Sequence, residues 1–305
     1  MKNKKLLGAG LLLLTSMIWG TAFVAQRVGM ESIEPLTFNA ARMALAAAAV
    51  GLPALYRGRR DRRAFPERSA EDRRLFRRNT VVGGLCCGFF LAGGSILQQM
   101  GLVYTTAGKA GFITALYMLL VPIAAFLLFK RKSSWLVWLA VAMGVAGLYC
   151  LCITEGFSLT QGDTLVCLCA VFFCGHILCI DHFVQKGDPV GISAVQFAAV
   201  TVISGAAALL TESPSMGKLI SAAVPILYCG LISGGLGYTL QILGQKYTDP
   251  TVASLLMSME SVFAVLAGSL LLGERMSPRE LTGCVIMFAA IVLVQIPLPG
   301  SRSEI

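Results

Sequence analysis

The chain has 305 residues, 56% of them hydrophobic and only 13% charged, where a soluble domain carries roughly 25% charged residues. So thin a charged shell cannot cover a globule of this size, which excludes a soluble enzyme, a disordered chain and a secreted disulfide scaffold. A polytopic helical membrane protein remains, in keeping with a mean hydropathy of +0.75.

A membrane-spanning helix takes about 20 apolar residues, and the weakly charged runs place ten of them. They lie near Leu6–Val28, Leu36–Tyr56, Thr80–Val103, Gly111–Phe129, Trp135–Ile153, Thr164–Phe183, Ile192–Leu210, Leu219–Leu243, Val252–Leu272 and Leu281–Ile296. Lys2, Lys4 and Lys5 before a leucine run resemble the start of a signal peptide. The run continues too far for one, and Phe23 would occupy a cleavage position that wants a small residue, so a retained first helix is expected. The ten cysteines all fall inside apolar runs and form no Cys-x-x-Cys pair, so they read as packing residues rather than disulfides or metal ligands. No cofactor and no metal is expected.

The net charge of +9 is not a phosphate-reading surface, because 10 of the 25 basic residues sit between Arg57 and Arg78 and the rest flank apolar runs. With the N-terminus inside, inner segments collect nineteen basic residues and outer loops four, namely Lys109, Lys218, Arg275 and Arg279. The expectation is a multi-pass plasma-membrane protein with both termini cytoplasmic. The Arg57–Arg78 loop is expected to form a short surface helix against anionic headgroups, with a solvated loop as the alternative. No nucleic-acid partner is expected.

An internal repeat organises the chain. LQQMGLVYTTAGKAG from Leu97 returns as LQILGQKYTDPTVAS from Leu240, pairing Gln98 with Gln241, Gly101 with Gly244 and Tyr104 with Tyr247. Upstream, Glu34-Pro35 matches Asp188-Pro189 and Gly20 matches Gly175. Two halves, residues 1–156 and 157–305, therefore hold five spans each. Five is odd, so the second copy lies inverted with respect to the first. The expected fold is all-α and integral to the membrane, with ten transmembrane helices in two inverted five-helix repeats. Inverted repeats characterise secondary transporters, whose substrate site lies near the midplane between the halves.

Trp19-Gly20-Thr21, Phe38 and Arg42, the repeated Leu-Gln-x-x-Gly with its Tyr-Thr, and MESVFAVLAGSLLLGERMSPRELTG from Met259 to Gly283 resemble the EamA-type drug/metabolite transporter superfamily. The first half departs from the pattern, since KRKSSW stands where the second has GERMSP. The resemblance implies a ten-helix basket with cytoplasmic termini and a central cavity lined mainly by spans 1, 3, 4, 6, 8 and 9. It also implies export or exchange of small metabolites, amino acids, amines or drugs.

Glu260 falls about nine residues into the ninth span, roughly 14 Å deep. A carboxyl there is costly unless it meets a wet cavity, a partner or a proton. It reads as a contact for a substrate amine, a proton-coupling group or a structural hydrogen-bonding carboxyl, and its repeat mate is Tyr117. His176, in the middle of the sixth span and paired with Thr21 by the repeat, is a proton-exchange candidate or a packing residue. Gln98 and Gln241 either join helices or offer amide groups to a substrate. With Trp19 as a wall, the expected substrate cavity comprises Trp19, Thr21, Gln98, Tyr117, His176, Gln241 and Glu260. Tyr238 reads as wall or packing. Arg42 is expected to position its helix or act as a gating polar group, snorkelling outward or pairing with Glu31 or Glu34.

The function expected is secondary transport by alternating access, with proton coupling as an option. An uncoupled facilitator or channel-like permease is the alternative, and an intramembrane enzyme the remoter one. No enzyme activity is expected, since the chain has two histidines, no aspartate cluster and only an isolated Ser215-x-x-Lys218. A primary pump would need a phosphate loop, which the sequence lacks.

Overall fold

The computed structural model describes residues 2–64, 69–105, 107–152, 160–272 and 277–295, and among them every regular element is helical. In hydrocarbon no water can satisfy exposed peptide groups, so apolar runs close their own hydrogen bonds as helices. The first half contains α1 (Lys2–Met30), α2 (Pro35–Ala64), α3 (Ala70–Tyr104), α4 (Ala107–Ala115), α5 (Tyr117–Phe129) and α6 (Trp135–Cys152). The second contains α7 (Gln161–Phe183), α8 (Pro189–Thr211), α9 (Met216–Ser221), α10 (Ala223–Leu227), a π-helical segment (Tyr228–Tyr238), α11 (Thr239–Gln245), α12 (Pro250–Met257), α13 (Glu260–Leu272) and α14 (Pro278–Gln295). Among the described residues eight helical stretches are long and apolar enough to cross a membrane, and Trp135–Leu151 is a shorter apolar helix.

Local chemistry fixes where the helices start. Asp188 and Asp249 each accept a backbone N–H at a helix entrance, with Pro189 and Pro250 next in line where a missing N–H costs nothing. Thr160 and Asp163 form a reciprocal capping box at α7. Lys130 closes α5 in the left-handed region at φ 57°.

Three spans depart from the uninterrupted helices that the sequence predicts. The fourth is broken at Leu116 between α4 and α5, and the ninth at Ser258–Met259 between α12 and α13. The eighth passes from α10 through the π-helical segment into α11. The expected surface helix within Arg57–Arg78 is replaced by extensions of its neighbours, α2 running on to Ala64 and α3 starting at Ala70. Residues 65–68 of that loop lie outside the described residues.

The halves interlock: α3 packs along α7 and α8, α2 along α8 and the π-helical segment, α1 against α13 and α11, and α6 against α14. Close approach needs small residues, there being little hydrophobic drive between helices in lipid. A Cβ on Gly20 would lie 2.6 Å from both the Glu260 carbonyl oxygen and the Phe263 Cβ. Gly20→Ala is therefore expected to push α1 off α13 and cost about 1–3 kcal/mol, measured as a lowered melting temperature in detergent.

Polar contacts tie the loops at both ends. At one end Lys218 hydrogen-bonds Glu34, and the Glu212 carboxylate accepts from Leu36 N (2.8 Å), Thr37 N (2.7 Å) and Thr37 Oγ1 (2.6 Å) at the start of α2. At the other, Arg131 pairs with Asp181 at 2.6 Å and Arg57 with Asp188 at 3.7 Å. The Lys218 hydrogen bond holds the Glu34 carboxyl below its ordinary value of 4.5. A depressed carboxyl contributes stability above its unfolded value and loses it only as pH falls through the lower, folded value. This tie is thus expected to stay intact from about pH 5 to 8. Since an exposed pair contributes at most about 1 kcal/mol, Lys218→Met should leave the melting temperature nearly unchanged across that range.

Candidate functional site

The two mid-span breaks occupy the same place in the repeat, Leu116 of the first half aligning with Met259 of the second. Near the second break the hydroxyls of Ser254 and Ser258 donate back to the carbonyls of Thr251 (2.8 Å) and Leu255 (2.7 Å), a bond that competes with the helical ladder. Each break opens a new half-helix, on Tyr117 in one copy and Glu260 in the other. The two mates meet: the Tyr117 hydroxyl donates to Glu260 Oε1 at 3.5 Å, a long bond. Glu260 lies in the first turn of α13, where free N–H groups favour an anionic side chain. It is 4% exposed and makes no other side-chain hydrogen bond among the described residues.

Around this pair lies a cavity of about 20 Å³ lined by Trp19, Thr114, Tyr117, Phe173, His176, Ile177, Tyr238, Gln241, Met257 and Glu260. A water needs about 10–15 Å³ measured this way, so the conformation holds a water but closes on anything larger. Trp19 and Tyr238 pack as tilted rings with centroids 4.6 Å apart, and His176 meets Tyr238 edge-on at 6.0 Å. The Trp19 indole donates to the Ser233 carbonyl at 3.2 Å, tying α1 to the π-helical segment. There is no room to spare at this joint, because a Cβ on Gly237 would stand 2.8 Å from Trp19 Nε1. The Gln241 Oε1 oxygen is buried without a hydrogen-bond partner. The cavity therefore offers one carboxyl, one unused acceptor and several aromatic surfaces, a set suited to an ammonium group.

Comparison with known proteins agrees with this architecture. The profile of the EamA-like transporter family matches residues 6–153 and again residues 160–296. The chain belongs to the EamA-like transporter family. Among its relatives, an uncharacterised transporter of Archaeoglobus fulgidus is 28% identical over 93% of this chain and 84% of its own. A probable terminal-alkyne amino-acid exporter of Streptantibioticus cattleyicolor is 24% identical over 96% of this chain and 95% of its own. A solved crystal structure, 18% identical, superposes with a TM-score of 0.71 over 94% of this chain and 96% of that one, which supports the fold.

Within this EamA-like transporter, five of the seven residues expected at the cavity line it: Trp19, Tyr117, His176, Gln241 and Glu260. Thr21 is not among them, its hydroxyl meeting Tyr228 Oη at 2.5 Å on the π-helical segment. Gln98 stands one side chain back, its amide donating to Thr114 Oγ1 at 3.2 Å. His176, 1% exposed, is held from behind by Gln196 Oε1 at 3.0 Å. Sequence reading passed over Thr114, Phe173, Ile177 and Met257. Thr114, Phe173 and Met257 each lie three residues from an expected position, the spacing that puts side chains on one helix face, and Ile177 follows His176 directly.

Arg42 corrects the expectation of outward snorkelling or pairing with Glu31 or Glu34. It is 3% exposed, and its Nε and Nη2 donate to Asn39 Oδ1 at 3.0 and 2.8 Å. The Asn39 amide nitrogen in turn donates to Ser95 Oγ (3.0 Å) and Ser204 Oγ (2.9 Å), joining α2 to α3 and α8. Glu34 is engaged elsewhere, by Lys218. The physical reason is register: Asn39 sits one helical turn from Arg42 on the inward face, so the guanidinium is drawn toward the bundle.

Proposed function

We propose that this transporter moves small amines and amino acids out of the cell, as an exporter or exchanger, by alternating access around the Glu260 cavity. The observation that carries this reading is a small cavity at the meeting of two half-helices, with a carboxyl, an unused amide oxygen and an aromatic wall. The family relative named as an amino-acid exporter supports the substrate class. In this reading the cavity opens in turn to each side as residues 1–156 rock against residues 157–305. Polar loop ties at both ends break and reform in that motion. Glu260 exchanges a proton for the substrate ammonium, Tyr117 steadying whichever occupant is present, and His176 is the group that takes up and returns that proton. The protein sits in the plasma membrane with both termini cytoplasmic, and the basic stretch Arg57–Arg78 lies on anionic headgroups.

The test is thermal stabilisation of the purified protein by amino acids, amines, nucleosides and sugars. A ligand that binds only the folded state raises apparent stability by about 2.7 kcal/mol at 100 times its dissociation constant. Stabilisation by amines or amino acids and not by sugars or nucleosides is the expected outcome. The reverse pattern would reject the substrate class. For topology, a C-terminal fluorescent protein that matures only in the cytoplasm should be bright.

A further inference from the structure

The cavity chemistry accounts for an ammonium group but leaves a buried cation unexplained. Arg42 lies 3% exposed within an apolar span, and among the described residues no carboxylate stands within ion-pair distance of it. A charge in that position is expensive, and such residues in spans usually mark a substrate or ion pathway. Its surroundings are built rather than accidental. Asn39 Oδ1 takes both hydrogens on one edge of the guanidinium, from Nε and Nη2, and is itself clamped by Ser95 and Ser204. The Phe38 ring lies 6.0 Å from the guanidinium carbon. Of five N–H donors, the three on the opposite end, one on Nη2 and two on Nη1, have no partner among the described residues. Two parallel donors at that end match the two oxygens of a carboxylate.

We infer that Arg42 is the carboxylate-binding subsite of the substrate path, oriented by Asn39, so that the preferred substrate carries both a carboxylate and an ammonium group. This rests on the transport reading above and narrows its substrate class. Location favours it: the Arg42 backbone packs against Gly230 of the π-helical segment, where a Cβ would lie 2.8 Å from the Arg42 carbonyl oxygen, and the far end of that segment, Tyr238, lines the Glu260 cavity. Tyr238 closes the far end of the π-helical segment, whose wide turns recur at functional sites. In this arrangement displacement of the Trp19–Tyr238 ring pair opens a way from the Arg42 guanidinium to the Glu260 cavity. A carboxylate then exchanges one partner set for another without crossing apolar space alone. Glu260 lines the cavity and Arg42 lies outside that lining, so the two groups take opposite charges of one molecule in sequence along the path.

The experiment compares matched ligands on the full-length purified protein: L-phenylalanine, its methyl ester and phenethylamine, then L-leucine, its methyl ester and isoamylamine. On the wild type, masking or removing the carboxylate should weaken binding roughly 10- to 100-fold, the range for hydrogen bonds to a charged group. Arg42→Gln should lose that factor for the amino acids and stay within about threefold for the esters and amines. Arg42→Lys, which keeps charge but not the paired donors, should recover part of it. Equal wild-type affinity for amino acid, ester and amine would overturn the subsite while leaving amine transport standing. An equal loss for all ligands in Arg42→Gln would also overturn it and make the residue structural. Failure of every one of these ligands to bind the wild type would overturn the transport reading as well. Should Arg42→Gln fail to insert, Arg42→Lys carries the same comparison: a loss for the amino acids beyond that for the esters and amines supports the subsite, and an equal loss for all of them overturns it.

Discussion

Glu260→Gln is expected to leave a folded protein that transports amines far more slowly. Glutamine keeps the size of the side chain and can still accept from Tyr117, so the 3.5 Å contact between the half-helices survives. What disappears is the one acidic group lining the cavity among the described residues. Without it a desolvated ammonium meets only the Gln241 oxygen and the aromatic faces. A charge-assisted hydrogen bond contributes about 1.5–3 kcal/mol, so amine uptake should fall roughly 10- to 100-fold. If the carboxyl also carries the coupling proton, transport by the wild type varies with pH while residual transport by the variant does not. Uptake measured at several pH values in vesicles checks both effects together. Wild-type rate and wild-type pH dependence in the variant would assign Glu260 a structural role.

Asn39→Ala is expected to be the most destabilising change outside the cavity. The substitution removes the two acceptor contacts of Arg42 at 3.0 and 2.8 Å and the two serine contacts at 3.0 and 2.9 Å. A buried cation then has no satisfied donor, and two buried hydroxyls lose a partner. Stripping a buried charge of its partner costs about 3–5 kcal/mol, and thermal unfolding in detergent reads the loss. Asn39→Asp separates stability from transport. A carboxylate in the same place keeps both guanidinium bonds, and the serine hydroxyls can turn from acceptors to donors. It should melt at or above the wild-type temperature. It also supplies Arg42 with a resident counter-charge, so it should bind amino acids worse than the wild type does.

Hydropathy and the internal repeat made the helical membrane architecture legible, because lipid leaves the chain few choices of secondary structure. The mates Tyr117 and Glu260 were likewise found by the repeat alone, and the structure places them in contact. The mid-span breaks were not legible. Leu116 and Ser258–Met259 carry no proline or glycine of their own, and hydropathy is blind to a half-turn of lost ladder. The π-helical segment escaped for a related reason. Glycines at 230, 234, 235 and 237 let it approach α1 and α2 closely, but glycine is common in any membrane helix. Arg42 was misjudged because sequence offered visible carboxylates at Glu31 and Glu34, while the decisive neighbour was the neutral Asn39 one turn away. Thr21 was placed by symmetry with His176, yet its hydroxyl reaches across to Tyr228. Side-chain direction across a helix face is set by packing that one sequence does not display.

In the proposed cycle a small amine or amino acid crosses the membrane through the Glu260 cavity. Counterflow tests it directly: proteoliposomes loaded with unlabelled L-phenylalanine or phenethylamine are diluted into trace label, and uptake is followed for wild type and Glu260→Gln. The expected result is a transient, saturable accumulation of label with the wild type that the variant reduces at least about tenfold for the amine. Equal accumulation in wild-type, variant and protein-free liposomes would contradict it.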